Sequence, residues 1–317
     1  MSLTGTSAFS NITASASTLK KGKHLTHSLV SDSSLLYRMR LNLALQNLLN
    51  SSADGDFEEL LFWGRISGTR GDYYIAMGVT YKRQYEFPTK TFYFASSTDF
   101  VFKKFRDVNT YHKDKYDGLA GAFTGDSTLV HIKVDPETTQ ADIDALKAAK
   151  EEANPDPLED TPEEDPEAFV IKRSLIEEDR LLFTVLAIEN DCQIVPKDAF
   201  RMTEDHEVER NVAFRGVSHD KCFSIDSYSH FRNVQNDEKK ALLLQDDAVF
   251  QADFLDEVST DLPCGMWSIQ QDSSCSMAVI RNNVWAGYTA YHGACTADFG
   301  GVYVGDGQKN LDLVFQI

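Results

Sequence analysis

Basic residues are in short supply in this chain: 31 lysines and arginines stand against 49 aspartates and glutamates, for a formal net charge of −18. A nucleic-acid partner calls for a basic face to meet the phosphate backbone, so that class is disfavoured. Long apolar runs are missing too. No stretch of about 18 apolar residues occurs, so no bilayer-spanning helix is expected. The N-terminus lacks the apolar core of a signal peptide and reads as a Ser/Thr/Ala tail ending in Lys20, Lys21 and Lys23. Cysteine is sparse and odd in number, five between Cys192 and Cys295, which does not make a disulfide framework. Aromatic residues, by contrast, are plentiful. The 20 Phe, 12 Tyr and 3 Trp argue against a mostly disordered chain. With 42% hydrophobic residues, 317 residues can fill one large domain or two small ones. The expectation is a soluble, acidic, intracellular protein.

Most of the acidity is local. Residues 135–167 hold thirteen acids and two bases, Lys147 and Lys150, together with five of the eight prolines. Thr138–Ala153 has helical composition with Thr139 as a cap, whereas NPDPLEDTPEEDPE after it cannot extend a helix or bury apolar area. The window therefore reads as a solvated acidic insertion, or as a docking or repelling surface. Before it, Leu35, Leu36, Met39, Leu43 and Leu49 stand near helical spacing behind Ser31 and Asp32. Strand candidates follow at Leu60–Ile66, Tyr73–Tyr81, Lys90–Ala95 and Val130–Val134. After it come a strand at Ala168–Ser174, an amphipathic helix at Glu177–Ile188 and a short strand at Cys192–Val195 stopped by Pro196. A helix capped by Ser218 runs toward His230. The last fifty residues form a meander of Trp267–Gln270, Met277–Arg281, Tyr288–His292 and Gly301–Gly305, with Gly305-Asp306-Gly307 as a hairpin turn. This mixed order predicts an α+β fold, a largely antiparallel mixed sheet with a C-terminal β-meander and several packed helices.

Catalytic signatures are fragmentary. Val170-Ile171-Lys172 and Asp298-Phe299-Gly300 imitate pieces of a protein kinase, without the glycine loop or catalytic-loop aspartate such an enzyme needs. Ser218-His219-Asp220-Lys221 spaces a serine and a lysine as in a nucleophile pair but reads better as a helix start. Neither a GxSxG elbow nor a GxxxxGK[ST] loop is present. No enzyme is expected, though a hydrolase or transferase lacking the known motifs stays open. Cys264, Cys275, His292 and Cys295 offer zinc-type donors, but only the last two are closely spaced; the alternative is reduced cysteines acting as small hydrophobes. Fourteen aromatics between Phe57 and Phe105, interleaved with lysines, suit a stacking platform less well than core and interface packing. Tryptophans and tyrosines near glycine turns are residue types that anchor protein–protein interfaces. The residues alone point to a non-enzymatic interaction protein.

Particular strings go further. LLFWGRISG (Leu60–Gly68) and DYYIAMG (Asp72–Gly78) resemble the early signature of the radial spoke head protein 9 family, axonemal proteins of motile cilia and flagella. KTFYF (Lys90–Phe94), FTGD (Phe123–Asp126), EEDRL (Glu177–Leu181), IVPKDAF (Ile194–Phe200), FRGVS (Phe214–Ser218) and SHFR (Ser229–Arg232) continue the match in order. DLPCGMWSIQ (Asp261–Gln270), VIRNNVWAGYTAYH (Val279–His292) and GGVYVGDGQKNLDL (Gly300–Leu313) are its most specific part. Ser127 stands where the family favours proline, and Asp198 where it favours glycine. The resemblance implies a structural subunit of the radial spoke head, located in the cytoskeleton of the ciliary or flagellar axoneme. It implies partners among the four/six-type and MORN-repeat head proteins. Through the assembled head it implies contact with the central pair and relay of mechanical cues to dynein-driven bending. No cofactor, small-molecule substrate, nucleic acid or membrane follows. The expected organisation is a tail over 1–30 and one domain over 31–317, interrupted by the 135–167 insertion. Interface anchors are expected among Trp63, Tyr73, Tyr74, Trp267, Trp285, Tyr291, His292 and Tyr303, core packing being the competing role for each. The alternative function is a zinc-stabilised or other cytoplasmic adaptor.

Overall fold

In the computed structural model, the residues described are 19–20, 35–51, 57–81, 87–106, 121–132, 174–203, 207–243, 254–272 and 276–313. The elements, in chain order, begin with β1 (Leu19–Lys20), α1 (Leu35–Ser51), β2 (Glu59–Ile66), β3 (Tyr73–Thr80), β4 (Thr89–Ser96) and β5 (Lys103–Lys104). Next are β6 (Val130–Ile132), β7 (Leu175–Ile176), α2 (Glu177–Cys192), β8 (Ile194–Pro196), β9 (Phe200–Met202) and β10 (Val208–Arg210). The chain then forms α3 (His219–Cys222), β11 (Tyr228–His230), α4 (Asp237–Leu243), β12 (Trp267–Gln271), β13 (Met277–Asn282), β14 (Tyr288–Gly293) and β15 (Phe299–Gly305).

Two antiparallel meanders, β2–β5 and β12–β15, lie side by side in one sheet ordered β12-β13-β14-β15-β2-β3-β4-β5, with β1 added on β2. They meet at a parallel pairing, where Tyr303, Val304 and Gly305 run beside Gly64, Arg65 and Ile66. The fold is the expected α+β arrangement, mixed but largely antiparallel, with its C-terminal meander. Seven of the eight residues of β3 are buried because a helix covers each face. Tyr73, Ile75, Met77 and Val79 pack with Leu181, Leu182, Val185 and Ile188 of α2. On the other side Tyr74 and Ala76 pack with Leu41, Ala44, Leu45 and Leu48 of α1. Each large side chain removed from water in this way contributes about 1.5–3 kcal/mol.

Several local expectations change. The buried stripe of α1 is Leu41, Ala44, Leu45 and Leu48, whereas Met39 and Leu43 are 60% and 58% exposed. A helix with leucines on both sides offers two stripes, and the packing against β3 and β4 chooses between them. The helix expected to start at Ser218 does start there, without a capping bond from the Ser218 side chain, and stops at Cys222, because Tyr228–His230 leaves to pair with β8. The strand expected over Cys192–Val195 is β8: Cys192 instead ends α2, and Pro196 is the strand's last residue, as a two-stranded ribbon permits. Gly305-Asp306-Gly307 ends the last strand and joins no hairpin; the Gly307 amide donates instead to the Tyr303 hydroxyl at 2.9 Å. Asp198 does occupy a left-handed turn, with φ of 66°, which fits its place where glycine is favoured. The helix expected over Thr138–Ala153, all but Ser174 of the strand expected at Ala168–Ser174, most of the N-terminal tail and the whole acidic window lie outside the described residues; Ser174 itself is a bend ahead of β7. Pairing of β6 with β7 sets Ile132 opposite Leu175, so the described chain leaves and re-enters at one place.

Candidate interaction surface

Buried charge comes first, since it is where chemistry would be found. Glu177, in the first turn of α2, is fully buried. Its carboxylate accepts from the Tyr73 hydroxyl at 2.7 Å, the backbone amides of Thr124 and Gly125 at 2.9 Å each, and the Thr124 hydroxyl at 2.7 Å. The FTGD and EEDRL strings thus form one latch: a glycine-containing loop aims amides at an acid placed at the electropositive end of a helix. Burial, and then the bond to Glu177, push the Tyr73 phenol far up and keep it neutral. Beside it Asp179 pairs with Arg106, and Arg180 bonds the Gly121 carbonyl while lying 4.4 Å from the centre of the Phe123 ring. Glu189 accepts from the Trp63 indole at 2.8 Å and from Lys90 at 2.5 Å. Glu59 accepts from Tyr81 and Arg210; burial pushes the Tyr81 phenol up to about 12. Each carboxylate braces neighbouring elements, a satisfied structural role.

Seven of the eight aromatic positions are interior. Trp63, Tyr73, Tyr74, Trp285, Tyr291, His292 and Tyr303 are all buried, and Trp267 is partly so. All three indoles donate to carboxylates, Trp63 to Glu189, Trp267 to Asp261 and Trp285 to Asp191. Such side chains hold this chain together, and seven of the eight are buried within it. The zinc-type donors do not gather. Cys264 and Cys295 are exposed, and Cys275 lies outside the described residues. His292 directs Nε2 at the Thr296 carbonyl at 3.2 Å and Nδ1 at the Cys222 sulfur and Tyr228 hydroxyl, at 3.5 and 3.3 Å. Among the described residues no three His, Cys, Asp or Glu side chains converge as metal ligands.

Burial lowers the proton affinity of the His292 imidazole. Burial and the nearby Arg180 cation do the same for His131. Unfolded histidines titrate near 6.5 and bind protons that the folded ones refuse, so stability is full above that pH and is lost as pH falls below it. His292 can contribute at most about 1.4 kcal/mol per pH unit in that window. Melting temperature should fall between pH 7.5 and 5.5, and His292→Gln should flatten the fall; a flat wild-type profile would contradict this.

What does face outward is a groove of about 350 Å³, lined by Asp191, Arg232, Leu262, Met266, Lys309 and Leu311, among others. Met266, Val284 and Leu313 give it a buried apolar floor. Two of its three lining leucines, Leu262 and Leu311, are 80% and 76% exposed. DLPCGMW ahead of β12 and QKNLDL after β15 supply them, two segments far apart in sequence. Backbone bonds tie both to the same turn: the Asn283 amide donates to the Met266 carbonyl and the Asn310 amide to the Val284 carbonyl, both at 2.7 Å. Asp261 is fixed by His230 at 2.7 Å and Trp267 at 2.8 Å. Lys309 reaches Asp191 at 3.2 Å and lies 5.5 Å from the Trp285 ring centre. A second groove shares Arg232 and Asp261 and continues through Gln235, Lys239 and Asp256. Sequence reading missed this surface because it looked for aromatic anchors. The signal was two leucines, each in a polar turn with no hydrophobic period to claim it.

The described residues form an α+β fold whose buried carboxylates brace its own elements and whose groove sets two exposed leucines above an apolar floor. No protein-family model matches the chain. It is 30% identical over 295 residues, 93% of its length and 98% of the other's, to the radial spoke head protein 9 homolog of Danio rerio. To the homologs of that name in Mus musculus and Homo sapiens it is 30% and 29% identical over 273 residues, 86% of its length and 90% of theirs. The chain belongs to the radial spoke head protein 9 family.

Proposed function

We propose that this chain is a structural, non-enzymatic subunit of the radial spoke head in the axoneme of a motile cilium or flagellum. Near end-to-end similarity to radial spoke head protein 9 homologs carries the reading. The partners are the four/six-type and MORN-repeat head proteins, and the assembled head meets the central pair and relays mechanical cues that regulate dynein. Internal bracing suits such a role. Two helices clamp β3 from both faces and carboxylates tie α2 to the sheet, so local opening under repeated load is costly. The Leu262–Leu311 groove is the docking surface for a neighbouring subunit. In this reading the single domain spans 31–317, and the 135–167 segment, with thirteen acids, projects a screened repulsive or steering field toward the central pair. The test is fractionation of demembranated axonemes with quantitative mass spectrometry. Retention, then release in chaotropic salt at fixed stoichiometry with the other head subunits, supports the proposal. Loss into the detergent-soluble fraction without spoke proteins would overturn it.

A further inference from the structure

The sheet has two outer edges, and they differ. At one end β5 is two exposed lysines, a short charged edge that repels further strands. At the other end β12 is five residues, WSIQQ, without a charge or a proline.

The register of β12 shows which of its main-chain groups are free of the sheet. The Asp272 amide donates to the Met277 carbonyl, and the Asn283 amide donates to the Met266 carbonyl. These two contacts bracket the ladder that pairs Trp267 with Asn282 and Gln271 with Ala278. Hydrogen-bonded pairs recur at every second position of an antiparallel ladder. Residues 266, 268, 270 and 272 therefore turn their amides and carbonyls toward β13. Those of Trp267, Ile269 and Gln271 turn away from it, and no described strand pairs with them.

The side chains specify what fits. Trp267 and Ile269, on the strand at the edge of the sheet, are partly buried and packed against the main core. Ser268 and Gln270 occupy the opposite face, where Arg281 bonds the Gln270 amide oxygen at 2.7 Å. Acidic Asp261 and Asp272 stand before and after the strand.

We propose that the outer edge of β12 is a strand-addition site for an extended segment of a neighbouring spoke-head chain. The incoming segment has apolar residues alternating with polar ones, the apolar ones covering Trp267 and Ile269. Its ends carry no acid, since Asp261 and Asp272 stand before and after the strand in a chain of net charge −18. A second copy of this chain is the poorer occupant, since it brings the same acids and a further net charge of −18. The inference rests on the spoke-head reading and names how a partner is held.

Residue-resolved hydrogen exchange on the full chain, free and within isolated spoke heads, tests it. The amides of Trp267, Ile269 and Gln271 should exchange at least about tenfold more slowly in the head, while those of Ser268 and Gln270 are slow in both. Equal exchange of the three outward amides in a chain that is present in the head overturns the inference alone. So does equal protection in the free chain, which would mean its own residues cover the edge. Absence of the chain from heads overturns the spoke-head reading as well. A photo-crosslinking residue at Gln271 identifies the occupant: capture of another head subunit is expected, and capture of a second copy contradicts the assignment. Gln271→Pro removes an outward donor without touching the β13 ladder. It should leave melting nearly unchanged and lower head incorporation about tenfold, whereas Gln271→Ala should lower neither.

Discussion

Replacing Glu177 by alanine should destabilise the fold by about 3–5 kcal/mol, the cost of stranding buried groups that were paired with a charge. Two backbone amides, a phenol and a hydroxyl converge on that carboxylate. The hydroxyls of Tyr73 and Thr124 can rotate, but the amides of Thr124 and Gly125 are fixed and would face an empty space. In a domain of this size the melting temperature should drop by roughly 10 °C. Glu177→Gln keeps the shape and one acceptor oxygen, and should cost about half as much. Thermal and urea unfolding of the three proteins decides the matter. Equal stability of Glu177→Ala and wild type would mean that the latch joining the 123–126 loop to α2 does not hold the two together.

Gly64→Ala should be comparably damaging for a different reason. Gly64 sits at φ of 155° where the two meanders join, and a Cβ there would fall on the carbonyl of Tyr303. The neighbour is backbone, part of the β15–β2 pairing, so it cannot rotate out of the way. Either the parallel pairing opens or β2 shifts at its bulge between Phe62 and Gly64. A loss of about 3 kcal/mol or more is expected. Unchanged urea midpoint and slope in Gly64→Ala would show that the junction has slack.

The sequence was most readable where one pattern admitted one structure. The apolar run of Tyr73–Thr80 between turn residues and the spaced runs of the last fifty residues announced strands, and the amphipathic pattern of Glu177–Ile188 announced α2. It was less readable where several patterns overlapped. The leucines of α1 satisfy two helical stripes, and only the sheet below selects Leu41, Ala44, Leu45 and Leu48. Ser218 offers a helix-start signal ahead of residues 223–230, but Tyr228–His230 pairs with Ile194–Pro196, some thirty positions earlier. The strings that marked the family are mostly structural: LLFWGRISG is β2, DYYIAMG is β3, and FTGD with EEDRL is the Glu177 latch. Aromatic content pointed toward interfaces because burial is invisible in composition, and indole–carboxylate pairs such as Trp63–Glu189 span 126 positions. The groove was hidden for a related reason. Leu262 and Leu311 become neighbours on a surface only when β12–β15 folds, and an isolated leucine in a turn has no signature.

Incorporation of a Leu262→Asp/Leu311→Asp double variant into spoke heads tests the central claim most directly. Both side chains are largely exposed, so melting should stay within about 0.5 kcal/mol of wild type in stability terms. A charge in place of each leucine should nonetheless weaken docking, leaving the variant depleted at least about tenfold from purified heads and recovered as folded, soluble chain. Heads carrying the variant at wild-type occupancy would contradict the account and remove the groove as the surface that holds this subunit in place.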